Sequence, residues 1–389
     1  MGLDRLLVAL NGGMHNMENK LGIYAICRDE IKFVDQWVEN VLPADYIAVL
    51  DTGSQDGTWE RLQEWQKKYP DKIILKQQVF TPWRFDTPRN VNMEMLPEDT
   101  TIYLSTDLDE LLTSPGWADE FRKAWIPGKT QRATYKYIWS HDEDGNPGRI
   151  FQYNKASDKN WRWFAPCHEL LRSTITGSEH YDYATSINLF DKVTLEHFPD
   201  RTKSRSNYLP LLRLRKEENP DDAYGLVYLC HELYYRGLYE ESIQELNEAL
   251  EKFSPQLNIL EIGSCYLFQG DSYVQLKQYD QAVRCYWKAI ETIPSYREPY
   301  LNLAKVYMER KMFDMAKGVL EEGMKKSVRH WSWLERDHSW SWEPYDLLCL
   351  TCYYSGDYKE AVINAQKALS YEPNNERLKK NLEFCLAKI

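Results

Sequence analysis

The chain reads as an α/β domain built on a parallel sheet, followed by an all-α repeat domain. Three observations predict this. Up to about residue 205 short β-rich runs alternate with helical patterns; beyond it the pattern is helical almost throughout and repeats itself. The length, 389 residues, exceeds what a single core usually organises, which is roughly 100–200 residues per domain. The expected boundaries are an irregular leader over 1–20, the α/β domain over 21–205, and the repeat domain over 206–389, closed by a capping helix.

Composition narrows the function classes. With 43% apolar and 14% aromatic residues the chain can build sizeable cores, yet no run approaches the ~18 apolar residues needed to cross a bilayer. No membrane span is expected. "RLLVAL" near the start is short for a signal h-region and lacks a small-residue cleavage site, so secretion is not indicated. Eight cysteines without a framework spacing favour reduced thiols and a cytoplasmic setting. A net charge of -11 argues against a nucleic-acid partner, whose phosphates need clustered Lys and Arg.

In the first domain "GIYAIC" reads as a strand that ends at Arg28-Asp29-Glu30, where the amphipathic helix "EIKFVDQWVENV" begins. "DYIAVLD" is a second strand ending at Asp51, followed by the turn "TGSQDGT" and a helix from Trp59 to about Lys68. A third strand, "KIILKQQ", precedes the helical "WRFDTPRNVNMEML". A fourth, "TIYLS", runs into Asp107, Asp109 and Glu110. The alternation implies a parallel sheet with crossover helices, and ligands of such sheets sit beyond the carboxyl ends of the strands. Arg28, Asp51, Arg89 and Asp107 all lie at or just after such an end. Neither G-x-G-x-x-G nor a Gly-Lys-Ser/Thr phosphate loop is present. An acid at the strand end can instead accept hydrogen bonds from a base or ribose. Asp107 and Asp109, two apart in an extended segment, share one face, and their hard oxygens suit Mg²⁺ or Mn²⁺. Glu110 lies off that face and is expected to support the ligands from behind or to start a helix.

Taken in order, "CRDE", "VLDTGSQDGT", "WRFDTPRN", "LSTDLDE", "CHE" and "LEH" resemble the motifs of family 2 glycosyltransferases of the GT-A fold, over residues 22 to 205. The resemblance implies a Rossmann-like nucleotide-diphospho-sugar transferase domain, a UDP-sugar donor and a divalent cation, Mn²⁺ or Mg²⁺. It implies Asp51 and Asp56 at the uracil and ribose, Arg28 and Arg89 near the nucleotide, Asp107 and Asp109 as the D-x-D pair, and His197 completing the metal shell. Lys203 and Arg205 would meet the diphosphate. Glu169 would be the base that takes the acceptor's proton, with His168 supporting it or orienting the acceptor; a plain helix-start cap is the other reading of Glu169. Asp29 departs from the family's usual Asn-Glu, and it should therefore point away from the diphosphate or pair with Arg28.

The second domain repeats. "RGLYEESIQELNEAL", "LKQYDQAVRCYWKAI", "RKMFDMAKGVLEEGM" and "SGDYKEAVINAQKAL" share an aromatic register at Tyr239, Tyr279, Phe313 and Tyr358. Small residues follow at Ser242, Ala282, Ala316 and Ala361, and again at Ala249, Ala289, Gly323 and Ala368, where helices must approach closely. Pro294 and Pro373 close two units. The pattern resembles the tetratricopeptide repeat, with units starting near Ala223, Gly263, Arg297 and Trp342; the step from the second to the third is the family's 34 residues. Such stacks bury a continuous core and commonly bind peptide or protein. "RHWSWLERDHSWSWE" interrupts the third and fourth units, and its indoles either pack on the stack or form an aromatic platform. "CLTC" falls on core positions of a helix, so packing is expected there in preference to zinc.

Three readings follow. In the first, a metal-dependent inverting glycosyltransferase acts on a peptide or protein acceptor presented by the repeats, similar in layout to bacteriocin peptide glycosyltransferases. In the second the acceptor is a glycan or lipid-linked saccharide, and the repeats serve homodimer formation or a partner. In the third the repeats make an interaction protein whose transferase domain is inactive.

Overall fold

The structure is a computed structural model that describes residues 19–141, 145–177, 183–200, 208–330, 332 and 334–389. The expected leader lies almost wholly outside the described residues, as do Lys203 and Arg205. The chain divides into two compact units. The first takes the described residues of Met1–Ser140, Gln152–Ala165 and Glu169–Thr202; the second takes those of His141–Phe151, Pro166–His168 and Lys203–Ile389.

The first unit is a mixed sheet with helices. Strands β1 (Leu21–Cys27), β2 (Tyr46–Asp51), β3 (Ile73–Gln77) and β4 (Ile102–Ser105) alternate with helices α1 (Ile31–Val41), α2 (Thr58–Lys68) and α3 (Asp86–Met93). β1 pairs in parallel with β2 on one side and β4 on the other, and β2 with β3. Ile23, Ala25, Ile47, Val49 and Leu104 are all fully buried, which explains why these strands read as apolar runs without alternation. Beyond β4 come β5 (Glu110–Leu112), α4 (Trp117–Ala124), β6 (Arg132–Ile138), β7 (Ile150–Ser157), a hairpin of β8 (Trp161–Phe164) and β9 (Leu170–Ser173), then β10 (Ser186–Asn188) and β11 (Thr194–His197). The main sheet runs β3-β2-β1-β4-β7-β6-β11-β5, with β10 on β6, and β8 and β9 form a separate two-stranded sheet. The runs "ATYKYIWS" and "GRIFQY" supply β6 and β7 to this main sheet. β5 departs from the sequence expectation: Glu110 opens a strand, antiparallel to β11, and does not start a helix.

The β8–β9 hairpin covers the face of β1 and β4 through Trp161, Trp163 and Leu171, which pack with Tyr24, Met93 and Tyr103. Asn90 of α3 fixes its edge, since its amide donates to the Trp163 carbonyl and accepts from the Trp163 N–H, both at 2.8 Å. Glu169 consequently precedes a strand, and a helix-start capping role does not apply to it.

The second unit is helical: α5 (Tyr208–Glu218), then four helix pairs, α6 (Ala223–Tyr235) with α7 (Tyr239–Lys252), α8 (Ile259–Gln275) with α9 (Tyr279–Thr292), α10 (Arg297–Glu309) with α11 (Phe313–Lys326), and α12 (Glu343–Ser355) with α13 (Tyr358–Tyr371). α14 (Glu376–Leu386) follows as the cap. Each register aromatic is the first residue of a second helix. The small positions are all buried, and at Gly323 the reason is direct: a Cβ there would stand 2.5 Å from Cβ of Tyr300. α8 begins at Ile259, ahead of the expected Gly263, because Asn258 and Glu261 form a reciprocal capping box. Cys349 and Cys352 are buried with Cys385 against Ala361 and Ala365, so they act as core residues.

Candidate functional site

The strand order 3-2-1-4 reverses direction between β1 and β4, and the crevice at the carboxyl ends of these two strands is where open α/β sheets bind ligands. Arg28 follows β1 and Asp107 follows β4.

Asp107, half-buried, meets a cluster of buried charges. Arg89, from the first turn of α3, places Nη2 at 3.0 Å from Asp107 Oδ1 and donates through Nε to Glu169 Oε1 at 2.5 Å. Its Nη1 donates to Ser105 at 3.3 Å, and its guanidinium lies 5.2 Å over the Trp163 ring. From β7, Lys155 Nζ stands 3.4 Å from Asp107 and 3.5 Å from Glu110. Burial works against the Arg89 cation, but Asp107 and Glu169 overcome it and hold the guanidinium protonated. Burial likewise opposes the Asp107 carboxylate, yet Arg89 and Lys155 keep its pKa well below the usual carboxylate range. Glu110, 2% exposed, accepts the Asp107 N–H at 2.9 Å and the Tyr137 hydroxyl at 2.7 Å; burial pushes its pKa upward.

Asp109 and His197 form the neighbouring pair. His197 Nε2 lies 3.2 Å from Asp109 Oδ2, while its Nδ1 faces the Trp139 carbonyl at 3.1 Å. The β5–β11 ladder produces this encounter: His197 is opposite Glu110, Leu195 opposite Leu112, and the Phe198 N–H donates to the Asp109 carbonyl at 2.7 Å. Burial alone would lower the imidazole pKa, but Asp109 and behind it Glu110 hold it above the ordinary value.

The remaining expected residues do not join this cluster. Asp51 is fully buried, and its Oδ1 accepts from Gly53 N, Ser54 N and Gln77 Nε2 at 2.9–3.0 Å, so it organises its own turn, in which Gly53 takes the left-handed φ of 109°. Asp56 accepts from Thr58 N and Ile31 N, both at 3.0 Å, tying the turn to the start of α1. Arg28 is largely exposed, 3.8 Å from Asp29, whose carboxylate accepts from Gln55 N at 2.7 Å. His168 belongs to the second unit: its ring stacks on Tyr228 at 4.4 Å, and Arg215 of α5 donates to its carbonyl at 2.8 Å, beside a left-handed φ of 47°.

Sequence reasoning missed Lys155 and Tyr137. A signal existed, because strand alternation puts Tyr153 and Lys155 on one face, but a single Lys carries no spacing motif.

Asp109 and His197 are close enough to be two ligands of one divalent ion, and the Trp139 carbonyl accepting from Nδ1–H would leave Nε2 free for a cation. The pair offers a divalent cation two candidate ligands. Among the described residues no group of three or more His, Cys, Asp or Glu is arranged for a metal.

A family model described as TPR repeat matches residues 270–310. The helical unit carries tetratricopeptide repeats. The chain is 27% identical over 165 residues to the Hsp70-Hsp90 organizing protein 2 of Arabidopsis thaliana, covering 40% of this chain and 27% of that protein's length. Among solved structures, a thermophilic TPR protein of Thermus thermophilus is 21% identical with a TM-score of 0.35, over 46% of this chain and 89% of its own. MamA of Desulfovibrio magneticus is 20% identical with a TM-score of 0.35, over 43% and 85% respectively. Among the described residues no helix is long and apolar enough to cross a membrane.

Proposed function

We propose that the first unit is a GT-A-type, family 2-like glycosyltransferase that moves a sugar from a UDP-sugar to a peptide or protein acceptor engaged by the repeats. One observation carries this reading. Arg89, Asp107, Asp109, Glu169 and His197, drawn from four separate stretches of chain, meet beyond the β4 end of a sheet whose order reverses there. Asp109 and His197 would hold Mn²⁺ or Mg²⁺, which when bound neutralises the leaving diphosphate. Arg89 orients Asp107 and Glu169 together, and Lys155 fixes Asp107 from the other side. Glu169 takes the acceptor's proton, since only its Oε1 is engaged by Arg89. A single base and a direct displacement make the transfer inverting.

The second reading is a repeat-based interaction protein with an inactive first unit. It is favoured by the repeat match and by the ion pairing of both Asp107 and Glu169 with Arg89. Release of free nucleotide from a panel of nucleotide sugars with Mn²⁺ separates the two. The transferase reading expects turnover of at least one donor and a loss of about 100-fold or more in Asp109→Ala with little change in stability. No turnover of any donor by the folded wild type would leave the interaction reading standing.

A further inference from the structure

The insertion between the third and fourth repeats is seated on the stack over Leu334–Trp340, where Leu334, Glu335 and Ser339 are buried. A 3-10 turn, Asp337–Trp340, packs against α10 and α12. These are first helices, and the first helices of successive units touch one another along the stack, so they form its inner, concave layer.

Side chains of the stack read the segment's backbone as they would read a bound peptide. The Tyr296 hydroxyl donates to the Leu334 carbonyl at 3.2 Å, Glu298 accepts the Arg336 N–H at 2.7 Å, and Arg297 donates to the Ser339 carbonyl at 3.3 Å while lying 3.8 Å over the Trp340 ring. The Arg336 side chain enters a made pocket. Its Nη2 donates to Asp271 Oδ2 at 2.7 Å, and the other oxygen, Oδ1, accepts from Tyr286 at 2.8 Å and Asn302 at 2.7 Å. The Phe268 ring lies 5.9 Å from the guanidinium. Asp271 is only 5% exposed, and every group that orients it belongs to α8, α9 and α10. The helices thus supply an acid, its two orienting donors and an aromatic face, and the cation alone comes from the insertion.

We propose that Asp271, Tyr286, Asn302, Glu298 and Phe268 form a guanidinium-reading peptide site, that Leu334–Trp340 occupies it in cis, and that an arginine-bearing extended segment of a partner polypeptide competes for it. The tether gives the internal segment an effective concentration in the millimolar range, so an added peptide gains access only when the segment is loosened. Arginine is selected over lysine because a planar guanidinium both pairs with Asp271 and lies against Phe268.

The test uses the full chain and a fluorescein-labelled peptide of residues 334–341, LERDHSWS, read by fluorescence anisotropy. Arg336→Ala empties the pocket. Trp340→Ala removes the segment's own stacking on Arg297 while leaving Arg297, Arg336 and Asp271 in place for the added peptide, and it carries the test alone if Arg336→Ala fails to fold. Both variants should bind the peptide at least about ten-fold more tightly than wild type. Binding should vanish in Arg336→Ala/Asp271→Asn and for the peptide with lysine in place of arginine. The proposal is overturned if the folded variants bind no peptide, if wild type binds as tightly as they do, or if the lysine peptide binds equally well.

Discussion

The two units balance buried charge differently. Around Asp107 in the α/β unit three carboxylates, Asp107, Glu110 and Glu169, face two cations, Arg89 and Lys155, and the acids are in excess. Among the repeats buried acids are matched singly: Asp271 by Arg336, Glu343 by Lys305 and Asp346 by Arg377, each within 2.8 Å, while Glu335 takes the His330 and Ser332 N–H groups and Glu298 the Arg336 N–H. An acid matched by its own cation or N–H donor is already occupied, whereas a surplus of acids at strand ends holds negative charge ready for an arriving cation. Burial alone does not distinguish the two; the chemistry of the partners does.

The strongest way to break this contrast is Arg89→Ala. It removes the buried cation between Asp107 and Glu169, leaving Asp107 to Lys155 and Glu169 without that partner, and because the Asp107 side chain is 32% exposed the variant should lose about 3 kcal/mol, the low end for a broken buried pair, in urea unfolding of the full chain. A loss under about 1 kcal/mol would mean that the acids relax elsewhere and the cluster is not strained by its own charge.

Glu298 sharpens the other side. Burial, opposed by the Arg336 N–H, pushes its pKa up to about 7 from an ordinary 4.5. Because the folded value stands above the unfolded one, the stabilisation is complete below about pH 4.5 and is lost as pH rises through 7. Wild type should therefore lose roughly 2–3 kcal/mol more than Glu298→Gln between pH 5 and pH 8, the other titrating groups being common to both. Parallel unfolding curves at the two pH values would show that Glu298 stays ionised in the fold.

The smallest effect concerns packing without charge. Gly323→Ala gains helix propensity but drives a methyl to 2.5 Å from Tyr300 Cβ, which is fixed to the backbone of α10. A net loss of about 1 kcal/mol is expected by thermal unfolding, and a gain would show that α10 and α11 can slide apart.

The repeats were the most legible part of the sequence, because each register position has a single local cause. Tyr239, Tyr279, Phe313 and Tyr358 all start helices, and the small residues all lie where helices meet. The site was legible as a set of residue names at strand ends, but its pairings were not. Arg89 meets Glu169 across 80 residues, and Lys155 reaches Asp107 because β7 inserts beside β4. Long-range antiparallel pairing of this kind leaves no periodic trace. Asp51 shows the converse: its position at a strand end suggested a ligand, yet the nearest N–H groups of its own turn already hold one of its oxygens.

The ladder between β5 and β11 acts as a ruler. Asp109 and His197 are 88 apart in sequence, and their separation in space depends on which residue of β11 stands opposite Glu110. Lengthening the chain inside the intervening loops leaves that spacing alone. Slipping the ladder by one residue turns the imidazole to the opposite face of the sheet with every element still formed. A variant library of this protein would therefore show wide tolerance to loop length between Thr113 and Val193, and sharp intolerance to a single residue added within Thr194–His197.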